Sequence, residues 1–198
     1  MKQIVLASNN LGKIGEFNAI FNNIGIKIIT QQEFNVPECD EPYFTFIENA
    51  LHKARHCTRH TGLPALADDS GVCVNALMGA PGVFSARYAG IPTNSQENNK
   101  KLVVELANFT DKSAYYYCML VLLRHEHDPQ PIIAEGMVNG MIVDIPRGTN
   151  GFGYDPHMFL PEYNQTIAEI DSEIKNKISH RALAIKELLK KISTSNAR

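Results

Sequence analysis

The chain has no surplus of positive charge: 19 lysines and arginines stand against 21 aspartates and glutamates, a formal net charge of -2. That balance argues against a broad polybasic surface for a nucleic acid polymer or an anionic membrane, so any phosphate must be met by cations placed locally. Cysteine is also sparse. Cys39, Cys57, Cys73 and Cys118 are scattered without a C-x-x-C pair, and they read as reduced thiols in a cytoplasmic protein. No segment approaches the roughly 18 apolar residues that span a bilayer, and the apolar run at residues 4–7 is too short for a signal-peptide core. Repeats and low-complexity tracts are absent, and so is any assembled Ser/His/Asp or Cys/His motif that would carry covalent catalysis.

What remains is an ordinary globular composition. With 198 residues, 44% hydrophobic and 20% charged, the chain suffices for one domain, residues 1–198, with a well-buried core and a tail fraying from about residue 192. Residues 4–7 read as a buried strand, followed by a polar loop and by Ile14, Phe17, Ile20, Phe21 and Ile24 at helical spacing. A second strand at 26–30 precedes an acidic loop with Glu33, Glu38, Asp40 and Glu41, and residues 44–60 read as a helix stopped by Gly62. Residues 79–92 are rich in glycine and proline and read as irregular structure. Asn94, with Glu97 three residues on, predicts a helix start. Strands are predicted over 115–123 and 132–143, the second interrupted at Gly136 and Asn139-Gly140 by a bulge or tight turn. A glycine-rich loop at 145–156 and a last helix from about Ser179 complete an alternation that implies an α/β fold.

Leu66-Ala67-Asp68-Asp69-Ser70-Gly71 carries the strongest chemical signal, because two carboxylates end an apolar run and are followed by a hydroxyl and a glycine. A turn is one reading. The other is a strand that delivers one carboxylate to a cleft and the other to a supporting role, since neighbouring strand side chains face opposite ways. Ser8-Asn9-Asn10-Leu11-Gly12-Lys13 sits at a strand-to-helix junction, where backbone N–H groups and the helix dipole make an anion site; a simple helix cap is compatible with it. Phe152 and Tyr154, in the run Gly151-Phe152-Gly153-Tyr154-Asp155-Pro156, could stack on a base or join the core. His180-Arg181 at a helix start are suited to donate to carbonyl oxygens, although isolated Lys175 and Arg181 would more often be surface charges. His52, His56 and His60 form an i, i+4, i+8 series that reads as a solvent-facing stripe rather than a metal face, and His125-Glu126-His127-Asp128 as an exposed turn.

These motifs, with Phe46-Ile47-Glu48-Asn49-Ala50, Lys53-Ala54, the run from Pro81-Gly82-Val83 to Tyr88-Ala89-Gly90, and Ser179-His180-Arg181, occur in one order along nearly the whole chain. Together they resemble the inosine triphosphate pyrophosphatase family, in particular its bacterial dITP/XTP pyrophosphatases. The resemblance implies a single α/β domain with a long mixed β-sheet flanked by helices in two lobes around a central cleft. It implies hydrolysis of dITP, ITP and XTP to monophosphate and pyrophosphate, a Mg2+ cofactor, a purine nucleoside triphosphate substrate and a homodimer. By family position Asp69 is the catalytic base and a metal ligand, Glu41 is the second metal ligand with Glu38 a substitute, and Ser8 to Lys13, Ser70, Phe152, Gly153, Tyr154, Asp155, Lys175, His180 and Arg181 bind substrate. The family often has Thr-Gly-Asn where this chain has Ser8-Asn9-Asn10. A related pyrophosphatase of the Maf type is the nearest rival, disfavoured by Ser179-His180-Arg181 and by the motif at 46–54. A non-catalytic nucleotide sensor is the rival from another class.

Overall fold

A computed structural model describes residues 3–22 and 24–195. Its strands β1 (Gln3–Leu6), β2 (Lys27–Thr30), β3 (Ala65–Val74), β4 (Ser113–Leu123), β5 (Ile132–Ile142), β6 (Met158–Leu160) and β7 (Gln165–Thr166) form one sheet in the order β2-β1-β3-β4-β5-β6-β7. The sheet is mixed: β1 runs parallel to β2 and β3, whereas β6 is antiparallel to β5 and β7. This is the α/β fold that the alternation of elements implied, with the long mixed sheet that the resemblance implied. Ile4, Val5 and Leu6 are all buried, as expected of a strand paired on both edges and read as an unbroken apolar run.

The helices are α1 (Leu11–Asn22), α2 (Phe46–Thr61), α3 (Ser95–Leu106), α4 (Ser172–Ile178) and α5 (His180–Ser195). Thr45 caps α2 by accepting from the Glu48 backbone N–H while its hydroxyl donates to the Glu48 carboxylate, and Gly62 closes the helix at φ 67°. Asn94 caps α3, accepting from the N–H groups of Gln96 and Glu97. The chain forms two compact units. The first holds the described residues up to Asp69, Cys118–Gly136 and those from Arg181 on; the second holds Ser70–Tyr117 and Met137–His180. Each has its own apolar core. Ile4, Leu6, Phe17, Phe21, Leu66, Leu120, Leu122, Ile185 and Leu188 belong to the first, and Val72, Val74, Leu102, Leu106, Tyr154, Met158 and Leu160 to the second.

Several expectations change. Residues 65–74 are continuous strand through both aspartates, so the turn reading of Asp68-Asp69 fails. The expected break at Gly136 and Asn139-Gly140 is absent, and β5 runs through all three residues. Gly140 has a different reason: a Cβ there would come within 2.4 Å of the Phe159 carbonyl oxygen on β6, so its absence permits close strand approach. β6, β7 and α4 were not anticipated; at three, two and seven residues they carry too few positions for a periodic signal. The tail expected to fray from about residue 192 is helical as part of α5 as far as Ser195, and residues 196–198 lie outside the described residues.

Candidate active site

In the first unit, β3 presents Asp68 and Asp69 to opposite sides, and different partners meet each. Asp69 lies 2.9 Å from the Lys53 ammonium through Oδ1 and accepts from the Asn49 amide at 3.4 Å through Oδ2. The same ammonium lies 2.5 Å from Glu41 Oε1 and donates to the Asp68 carbonyl at 2.8 Å. Lys53 therefore bridges the strand carboxylate and the acidic loop. Of the two acidic-loop candidates, Glu41 is the one that reaches this cation, while Glu38 is exposed. Burial raises the Asp69 carboxyl most, Lys53 pulls it down and Glu41 pushes it up, leaving it at about 6. Burial also works against the charge on Lys53, but Asp69 and Glu41 more than offset it and hold its value above that of an ordinary lysine.

Asp68 is fully enclosed and carries a separate network. Lys13 Nζ lies 2.5 Å from its Oδ1, Arg181 Nε donates to its Oδ2 at 2.8 Å, and the Cys118 thiol donates to Oδ2 at 3.4 Å. Burial would raise the Asp68 carboxyl, yet Arg181 and Lys13 hold it well below the usual carboxylate range. Arg181 is 2% exposed and also pairs with Glu16. Glu16 and Lys13 sit three residues apart on α1, so both ends of this network attach to one helix face.

The start of α1 is held locally. Asn10 Oδ1 accepts from the Lys13 backbone N–H at 3.0 Å, the capping role, Ser8 Oγ accepts from the Asn10 N–H at 3.2 Å, and Asn9 Oδ1 accepts from the Gln31 amide at 2.9 Å. Leu11 is exposed, and Gly12 and Lys13 are half-buried.

In the second unit, Asp155 is the organising group. It accepts from the Tyr116 hydroxyl at 3.0 Å through Oδ1, and from the Phe152 N–H at 2.9 Å and Lys175 Nζ at 2.8 Å through Oδ2. Lys175 also lies 5.0 Å from the centre of the Phe152 ring. His180 stacks on Tyr116 with ring centres 4.6 Å apart. The two loop aromatics part ways: Phe152 is 37% exposed, whereas Tyr154 is 5% exposed in the second core, its hydroxyl donating to the Ser85 carbonyl at 2.8 Å. Gly151 is required, since a Cβ would meet Asp155 Oδ2 at 2.1 Å and its φ is +77°. Ser70, half-buried on β3, opens this unit.

The sequence brings Glu41, Asp69 and Lys13 forward, whereas Lys53 and Asn49 enter it only as members of motifs. Their signal was present: they are polar residues on the same α2 face as buried Ala50, Ala54 and Cys57, and buried polar groups need partners. Glu16 had no local signal, because its partner lies 165 residues away. His56 and His60 engage the backbone carbonyls of Pro37 and His56, and among the described residues no group of three or more His, Cys, Asp or Glu side chains is placed to hold a metal.

A Ham1 family profile matches residues 4–191. The dITP/XTP pyrophosphatase of Neisseria meningitidis is 57% identical over 193 residues, covering 97% of each chain, and that of Burkholderia pseudomallei is 58% identical, covering 96% of this chain and 93% of its own. Among solved structures, a HAM1 protein from Coxiella burnetii superposes with a TM-score of 0.91 at 46% identity, covering 98% of this chain and all of its own.

Proposed function

The chain belongs to the Ham1 family, and on that footing we propose that it hydrolyses the deaminated purine nucleoside triphosphates dITP, ITP and XTP to the monophosphate and pyrophosphate. The observation that carries this reading is the pair Glu41 and Asp69, drawn onto one buried cation at 2.5 and 2.9 Å. Two carboxylates that share a cation make a donor set suited to Mg2+, which is held by one or two carboxylates together with substrate phosphates. When bound, Mg2+ supplies charge neutralisation and polarisation of the phosphate oxygens.

The chain's own groups do the rest. Asp69, at about 6, is largely ionised at neutral pH and accepts the proton of the water that attacks the α-phosphorus. Lys53 keeps that carboxylate and Glu41 together. Lys13, beside the N–H groups that open α1, meets phosphate charge, and Ser8 to Gly12 shape that loop; Lys175 adds a second cation, and Ser70 a hydroxyl. The exposed face of Phe152, in the loop shaped by Gly153, Tyr154 and Asp155, stacks on the purine. His180 and Arg181, both rich in N–H donors, supply donors to the C6 oxygen. Adenine presents an amino group instead, so rejection comes from donors left unmatched, roughly 10⁴-fold where the site is buried.

The family resemblance supports a homodimer in the cytoplasm, and the net charge of -2 supports a small anionic substrate over a nucleic acid polymer or a membrane. No described helix is long and apolar enough to cross a membrane. The test is a panel of dITP, XTP, dATP and dGTP with Mg2+, with pyrophosphate and orthophosphate assayed separately. Pyrophosphate from dITP and XTP is expected. Orthophosphate release would overturn the cleavage site, and binding without turnover would favour a sensor.

A further inference from the structure

Asn99, on the second turn of α3, donates from Nδ2 to the carbonyl oxygen of Gly153 at 3.0 Å. Of the amide's two ends only the NH2 can donate to that carbonyl, so the amide's orientation is fixed by its partner. The consequence falls on the other end of the side chain: Asn99 Oδ1 is buried and has no hydrogen-bond partner among the described residues. A buried acceptor left unmatched costs at least as much as one neutral hydrogen bond returns, so this bond is a poor device for stability. Its neighbour shows the contrast. Asn98, one residue earlier, is 3% exposed and uses both ends of its amide, donating to the carbonyls of Ser85 and Ala86 and accepting from the Ala89 N–H.

The location of the Asn99 bond supplies the reason for keeping it. Gly153 lies at φ +63°, in the left-handed region, directly after Phe152. The Phe152 N–H is tied to Asp155 Oδ2 at 2.9 Å, and the Asn99 amide ties the peptide on the other side of the ring. The backbone carrying the exposed ring is thus pinned before and after it. We propose that Asn99 is a positioning residue for purine binding, holding the Gly153 peptide so that the Phe152 ring is already oriented when the base arrives. Pre-orientation lowers the entropy lost on binding without touching the reacting phosphate, so its effect belongs in KM rather than kcat. This rests on the reading that Phe152 stacks on the purine.

The experiment compares Asn99→Leu, Asn99→Ala and Phe152→Leu with the unmodified enzyme, measuring kcat and KM for dITP together with the unfolding temperature. Both Asn99 variants are expected to raise KM about fivefold, about 1 kcal/mol at 1.4 kcal/mol per tenfold, with kcat within about twofold. The unfolding temperature should hold or rise, at least for Asn99→Leu, because the orphaned carbonyl is removed as well. A scaffold role would lower it. A lower unfolding temperature with unchanged KM, or a fall in kcat at constant KM, overturns the proposal. If Phe152→Leu raises KM and the Asn99 variants do not, the positioning role fails alone; if Phe152→Leu leaves KM unchanged, the stacking reading itself has failed.

Discussion

At the scale of single residues, the site separates two adjacent carboxylates by what surrounds them. Asp68 is neutralised by Lys13 and Arg181 and held far below its ordinary value, which makes it a poor proton acceptor and a good anchor. Asp69, raised to about 6, retains the basicity that Asp68 has lost. Asp69→Asn should therefore cost on the order of 10² to 10⁴ in kcat, while the fold and dITP binding persist because the amide keeps the shape and the contact with Lys53. Turnover near that of the unmodified enzyme at saturating Mg2+ would remove Asp69 from proton transfer. The alternation that sets these two apart was legible in the sequence, because it follows from strand geometry alone. What each carboxylate would meet was not: Arg181 is 113 residues from Asp68, and no local pattern encodes that pairing.

At the scale of elements, the sequence was most informative where a side chain acts on its own backbone. The Asn94 cap of α3 and the Gly62 stop of α2 were readable for that reason. Gly140 misled, since a glycine needed for strand approach looks the same as one needed for a turn. The connection between β4 and β5 offers a pH test. Asp128 accepts from the Arg124 side chain at 2.5 and 2.7 Å and from the N–H groups of Arg124 and Gln130 at 3.0 Å each, and these bonds, led by the Arg124 side chain, lower its carboxyl against the smaller push of burial. A depressed folded value means the stabilisation is complete above the unfolded value of about 3.9 and fades as pH falls below it. Asp128→Asn should thus lower stability by about 1 to 2 kcal/mol at pH 7, the lower range for a charged hydrogen bond because Arg124 is half-exposed. The gap between the two proteins should narrow in denaturant melts run from pH 5 to pH 3; a constant gap would show that the carboxylate's charge contributes nothing.

At the scale of the whole molecule, the two cores share no residue, although β3 contributes Leu66 to one and Val72 to the other. Leu188→Ala in the first and Leu106→Ala in the second should each cost about 2 to 5 kcal/mol. The double variant should cost their sum within about 0.5 kcal/mol if the sites are independent; a larger departure in chemical denaturation would show that the cores respond together. The sequence showed enough apolar residues for burial but not their division, because membership of a core depends on which distant segments pair. That division also has a temporal side. Ile4, Leu6, Phe17 and Phe21 are made well over a hundred residues before Ala184, Ile185, Leu188 and Ile192 of the same core. At roughly 5 to 20 residues per second, the early segments wait on the order of 10 to 40 seconds on the ribosome for α5, so a transcript truncated before α5 would yield a chain with its first core open and a chaperone's natural client.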